Sequence, residues 1–130
     1  ALGGTPAPQK RGYYVTPTIF DGVAPGMKVA KEEIFGPVLC VLPFDEPVAA
    51  IEQANDSPYG LAAGVWPRDV KRAHQVARSL KAGIVWVNCY YVMDPASPFG
   101  GFKKSGFGRD LGREALDHYL ETKTVWVNLE

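Results

Sequence analysis

Between Lys31 and Val38 the chain reads Lys-Glu-Glu-Ile-Phe-Gly-Pro-Val, setting two adjacent carboxylates beside an aromatic ring, a glycine and a proline. A carboxylate accepts two hydrogen bonds at once, which suits a sugar diol, and a neighbouring ring offers its face to a flat heterocycle. The Gly36-Pro37 pair ends whatever helical turn precedes it, because proline cannot continue a helix and steers its predecessor away from helical angles. Behind it comes the most apolar run of the chain, Val38-Leu39-Cys40-Val41-Leu42, a buried strand whose mouth would carry the acids. An exposed acidic turn is the alternative, and these eight residues alone do not choose between the two.

A second unusual stretch runs from Ser97 to Arg109, with four glycines, three phenylalanines and three basic residues in thirteen positions. It is not a phosphate loop, since Gly106 is followed by Phe107 where that pattern needs Lys-Ser/Thr. Nor is it the dinucleotide fingerprint, because Leu111 stands where the third glycine belongs. Its alternating aromatic and basic residues lack a strand pattern, which argues against a nucleic-acid surface. It reads as a glycine-rich loop that lets backbone pass close to a cofactor or another subunit, with Phe99 lining the resulting cavity. His74 and His118 have no partner at metal-ligand or triad spacing and read as solvated side chains, so no metal is expected. Cys89 follows Trp86-Val87-Asn88 at a strand end, where active-site groups are often found, but no nearby base supports it as a nucleophile.

The elements that must position these residues alternate. Tyr13 to Phe20 is rich in aromatic and β-branched residues and reads as a strand that Pro17 confines to an edge. Met27 to Glu32 has room for one helical turn. Val38 to Phe44 is a strand, and Asp45 is placed to cap a helix with Pro47 in its first turn and Val48, Ile51 and Ala54 on one face. After the turn formers Asn55 to Gly60 comes a strand from Leu61 to Trp66. Arg68 to Ala82 is the clearest helix, with Val70, Ala73, Ala77 and Leu80 at helical spacing and Gly83 as its stop. Ile84 to Asn88 is a strand, Tyr90 to Arg109 a long loop, Asp110 to Glu121 a helix and Lys123 to Asn128 a last strand. Strand-helix-strand-helix-strand with short links predicts an α/β fold with a largely parallel sheet and flanking helices.

Composition narrows the classes. With 130 residues, 46% apolar and 22% charged, the chain is ordinary for a globular protein with a real core. Fourteen basic and fourteen acidic residues cancel, so no overall field draws it to nucleic acid or anionic membrane. No apolar run approaches the ~20 residues that span a bilayer. Cys40 and Cys89 sit in or beside apolar strands and read as two reduced thiols of a cytoplasmic protein. Ala1-Leu2-Gly3-Gly4 reads as the tail of a strand, and the chain as part of something longer.

Taken together and in order, Lys31–Val38, Asn55–Gly64, Trp86-Val87-Asn88-Cys89, Pro98–Arg109 and Glu121-Thr122-Lys123-Thr124-Val125 resemble the C-terminal segment of an NAD(P)-dependent aldehyde dehydrogenase. The superfamily includes betaine aldehyde dehydrogenases, and the resemblance covers essentially the whole chain. It implies that residues 1–122 are the C-terminal part of the catalytic domain and 123–130 an oligomerisation strand that adds to a neighbouring subunit's sheet. Glu33 matches the glutamate that holds the nicotinamide ribose hydroxyls of NAD or NADP, and Phe35 the aromatic residue beside the nicotinamide ring. Phe99 and Met93 fall on positions of the substrate tunnel. Asp110 falls where many members have a glutamate that assists proton movement, a role its shorter side chain leaves open beside helix capping. Arg109 and Glu121 match positions near the subunit interface and suggest a structural pairing. The nucleophilic cysteine, general-base glutamate, oxyanion-stabilising asparagine and dinucleotide-binding domain would all lie upstream of Ala1. The parent reaction oxidises an aldehyde to an acid through a cysteine thiohemiacetal and thioester, so this chain alone is expected to be inactive and, with apolar surface uncovered, to self-associate. A non-catalytic α/β subunit-interaction module is the alternative.

Overall fold

The computed structural model describes residues 2–9 and 11–130. Ala1, onto which the strand-tail expectation extends, and Lys10, part of a stretch from Thr5 to Gly12 whose prolines, glycine and basic residues read as a loop, lie outside them. The chain divides into two compact units, Ala1–Ser57 and Pro58–Glu130.

In the first unit, β1 (Thr18–Phe20) pairs in parallel with β2 (Val38–Cys40), setting Thr18 opposite Val38 and Phe20 opposite Cys40. Both strands are shorter than their sequence pattern. Pro17 has no N–H to donate to a ladder, and the run Tyr13–Val15 is exposed. β2 is no buried core strand either, since Leu39, Val41 and Phe44 are exposed. Leu2 bonds Ile19 in both directions as an antiparallel bridge on the other side of β1. Between the strands lies the single turn α1 (Lys28–Lys31), and β2 is followed by α2 (Pro47–Asn55). Asp45 does not cap α2: Glu46 occupies the cap position and no side chain bonds there, while Pro47 opens the helix as expected. Val48 is exposed, so the predicted apolar face is displaced by the packing.

The second unit is a βαβ arrangement. β3 (Ala62–Val65) and β4 (Ile84–Val87) pair in parallel, Ala62 opposite Ile84 and Val65 opposite Val87. The crossover carries α3 (Val70–Ser79), which packs on both strands. Asp69 caps α3 by accepting from the Arg72 N–H at 3.1 Å, and Ala73 is its buried residue. Gly83 is not the stop. α3 ends at Leu80 in extended backbone, and Gly83 instead lets two chain segments meet: a Cβ there would stand 1.6 Å from the Gly100 carbonyl oxygen. Trp86 is the buried residue of β4 and its indole N–H donates to the Val92 carbonyl at 2.7 Å.

Beyond β4 the expected loop holds, with one 3-10 turn at Lys103–Ser105. The helix expected over 110–121 is only a 3-10 segment, Arg113–His118. Leu111 and Gly112 before it adopt left-handed φ of 62° and 61°, which an α-helix cannot accommodate. Residues 120–130 carry no strand assignment, and Val125, Trp126 and Val127 are exposed. An extended segment counts as a strand only when a ladder partner takes up its backbone groups. Among the described residues no helix is long and apolar enough to cross a membrane.

Candidate functional site

Each unit gathers its own candidate residues. In the first, α1 ends at Lys31 with Glu32 in extended backbone, four residues ahead of the Gly36-Pro37 pair expected to stop it, and the pair leads instead into β2 at Val38. Glu32, Glu33, Ile34 and Phe35 line a hollow of about 380 Å³ whose other walls include Val29, Val38 and Cys40. The sequence thus brings Glu33 and Phe35 to one place. The two acids differ in circumstance. Glu32 faces Lys28 at 3.5 Å, one helical turn back. Glu33 is exposed, and among the described residues its carboxylate has no hydrogen-bond or ion-pair partner. Both its oxygens are free to accept from a ligand diol.

Phe35 is a left-handed residue with φ 51°, uncommon for a bulky side chain and sustained only where the surroundings over-determine it. Its ring is 93% exposed on the rim of the hollow. An unstacked aromatic face beside an unpaired carboxylate fits a ligand made of a flat heterocycle and a sugar diol.

The second unit collects Met93 and Phe99, with Cys89, Trp86 and Leu111, around a cavity of about 250 Å³. Phe99 is held from behind. Its N–H donates to the Asp110 carbonyl and the Asp110 N–H returns a bond to Phe99, both at 2.7 Å. Asp110 is therefore the far end of a closed loop and caps no helix, since Gly112 precedes the 3-10 segment and no side chain bonds there. The lining is mostly hydrocarbon and sulfur, which suits the chain of an apolar substrate better than a charged one.

Arg109 bonds the carbonyls of Gly101 and Gly108 at 3.1 and 2.6 Å and lies 5.2 Å over the Phe102 ring. Its partners are the loop's own. Among the described residues Arg109 and Glu121 form no ion pair with each other. His118 is exposed as expected, but its Nε2 accepts from the Arg109 backbone N–H at 3.3 Å. Cys40 and Cys89 are free thiols. No imidazole or carboxylate bonds the Cys89 sulfur among the described residues, and none of their His, Cys, Asp and Glu form a group of three able to hold a metal.

Sequence reasoning passed over two supports. Asp56 reads as one of a cluster of turn formers, yet it receives the Lys31 ammonium on both its carboxylate and its carbonyl. Val92 attracts no notice in the sequence, yet its carbonyl is the acceptor that fixes the Trp86 indole beside Met93. Each contact ties a motif residue, Lys31 or Trp86, to a partner whose own residue type does not announce it.

The sequence profile described as the Aldehyde dehydrogenase family matches residues 1–125. Over 130 residues the chain is 57% identical to DhaS of Bacillus subtilis (strain 168), and over 118 residues 52% identical to betaine aldehyde dehydrogenase 1 of Rhizobium meliloti (strain 1021). These alignments take in 100% and 91% of the chain but 26% and 24% of the relatives. The chain thus spans about a quarter of the length of the curated relatives it matches. Among solved structures, the NAD+ complex of aldehyde dehydrogenase from Bacillus cereus superimposes with a TM-score of 0.87 at 56% identity, over 94% of this chain and 25% of that one.

Proposed function

The chain belongs to the aldehyde dehydrogenase family, and from that premise we propose that it is the C-terminal part of the catalytic domain of an NAD(P)-dependent enzyme oxidising an aldehyde to a carboxylic acid. Glu33 accepts the two hydroxyls of the nicotinamide ribose, and Phe35 lies against the nicotinamide ring. The observation that carries this reading is the pairing of an unpartnered carboxylate with an exposed ring on one hollow. The Bacillus cereus relative's structure, a complex with NAD+, supports the same choice of cofactor. When bound, the nicotinamide supplies the hydride acceptor. This chain's residues hold and orient it, because a diol gripped by two acceptors cannot rotate about either bond alone.

Met93 and Phe99 line the passage for the aldehyde, and the backbone bridge to Asp110 holds the Phe99 ring against it. Asp110 is the candidate for a proton relay by its position in the family pattern. The groups that form and break bonds lie outside residues 1–130, which supply one wall of the site, so the chain alone is inactive. Two free thiols fit a reducing, cytoplasmic setting. Arg109 and Glu121 belong to a subunit interface, and residues 123–130 pair as a strand with a neighbouring subunit in a homo-oligomer. Removing residues 123–130 is expected to shift the chain to smaller species in sedimentation velocity; an unchanged distribution would remove this part of the reading.

The decisive experiment is a chimera in which the chain replaces the matching quarter of the Bacillus cereus enzyme. It is expected to form NADH from aldehydes, whereas the purified chain with NAD and aldehyde does not exceed the buffer blank. A folded but inactive chimera would sink the proposal. So would turnover by the chain alone that disappears in Cys89→Ala, because the nucleophile would then be here.

A further inference from the structure

We propose that Lys31 is a positioning residue for the cofactor-facing turn, clamping α1 to the C-terminal end of α2. This rests on the assignment of Glu33 and Phe35 to the cofactor made above. The argument begins with the weakness of α1. A helix of four residues does not persist by itself, because nucleation costs more than one turn of hydrogen bonds returns. α1 also buries no residue fully, Val29 and Ala30 being only half-buried, so packing holds it weakly. Yet Glu33 and Phe35 follow it directly, and Phe35 occupies a backbone conformation that must be imposed from outside.

Two side-chain tethers remain. On one side, the half-buried Cys40 thiol of β2 donates weakly to the Val29 carbonyl at 3.4 Å. On the other, the Lys31 ammonium bonds the Asp56 carbonyl at 2.8 Å and the Asp56 carboxylate as well. Asp56 is the C-cap of α2, and its own N–H bonds back to the Glu52 carbonyl at 2.9 Å. The cation therefore sits where a helix end presents unsatisfied carbonyls and a negative dipole, which favours it. Two acceptors on one residue define a direction as well as a distance. Lys31 thereby fixes the last residue of α1, two positions before Glu33.

The pair is too exposed, at 36% and 72% of the side chains, to matter much for overall stability, since such ion pairs contribute little in water. That separates the two roles. Lys31→Ala in the purified chain is expected to raise amide hydrogen exchange over residues 28–36 and to leave α3 and β4 unchanged. In the chimera it should raise KM for NAD about tenfold, as misplacement of a binding group by a fraction of an ångström does. KM for the aldehyde and the melting temperature should not move. Lys31→Arg, which keeps two donors, should restore both the exchange pattern and KM. Unchanged exchange over 28–36 in Lys31→Ala would overturn the clamp, and altered exchange with unchanged KM would overturn its positioning role. Glu33→Gln serves as the control. If it too leaves KM for NAD unchanged, the assignment of Glu33 has failed rather than the clamp.

Discussion

Glu33→Gln in the chimera is expected to lower kcat/KM for NAD by about 10- to 100-fold, the worth of one or two hydrogen bonds to a charged acceptor, and to leave the melting temperature unchanged. Glutamine keeps the length and shape of the side chain. It loses the charge and replaces one of the two acceptor oxygens with an amide NH2 that only donates. A vicinal diol then meets one acceptor instead of two, and the charge-assisted bonds become ordinary ones. Stability is unaffected because the carboxylate bonds nothing in the protein among the described residues and is exposed. The separation of binding from folding is the informative part. Steady-state kinetics at saturating aldehyde measures the first and a thermal melt the second. Activity within twofold of the parent chimera would show that Glu33 does not hold the cofactor, and the hollow would need another occupant.

Trp86→Ala is expected to act on the fold. Trp86 is 7% exposed at the centre of β4, and its ring meets that of Tyr90 with centroids 4.8 Å apart. Truncating a buried tryptophan costs about 3–5 kcal/mol in lost burial and cavity. A domain of this size has only about 5–15 kcal/mol to lose. The urea midpoint of the second unit, read by far-ultraviolet circular dichroism, should therefore fall sharply. Trp86→Phe isolates the polar part. It keeps most of the apolar surface but leaves the Val92 carbonyl without its indole donor, at a cost of about 1 kcal/mol. Because Val92 precedes Met93, this milder change should also loosen the wall of the cavity that Met93 and Phe99 share. Equal midpoints for Trp86→Ala and the unchanged chain would mean that β4 is held by something other than its tryptophan.

Exposed apolar residues are numerous in both units, from Phe35 and Phe44 to Phe107 and Trp126. Exposed apolar surface of this extent is the kind that contacts further protein, and sedimentation of the purified chain tests whether that is self-association.

The local features of this protein were determined by its sequence. Gly36-Pro37 leads the chain into β2, Pro47 starts α2, and the apolar spacing around Ala73 and Ala77 marks α3. These signals act within a few residues, through fixed φ angles, missing donors and one face of a helix, so they can be read without knowing what lies opposite. The placement of Glu33 and Phe35 on one turn belongs here too, because only Ile34 stands between them. Tertiary structure decided the rest. Phe99 faces Asp110 because two distant backbone segments exchange hydrogen bonds, and that pairing turned a plausible helix cap into the end of a loop. Gly83 reads as a helix stop but serves the close approach of Gly100. The Lys31–Asp56 contact joins a motif to an unmarked turn. Such contacts depend on which surfaces meet when water is expelled, and a residue's own type carries no record of its partner across the fold.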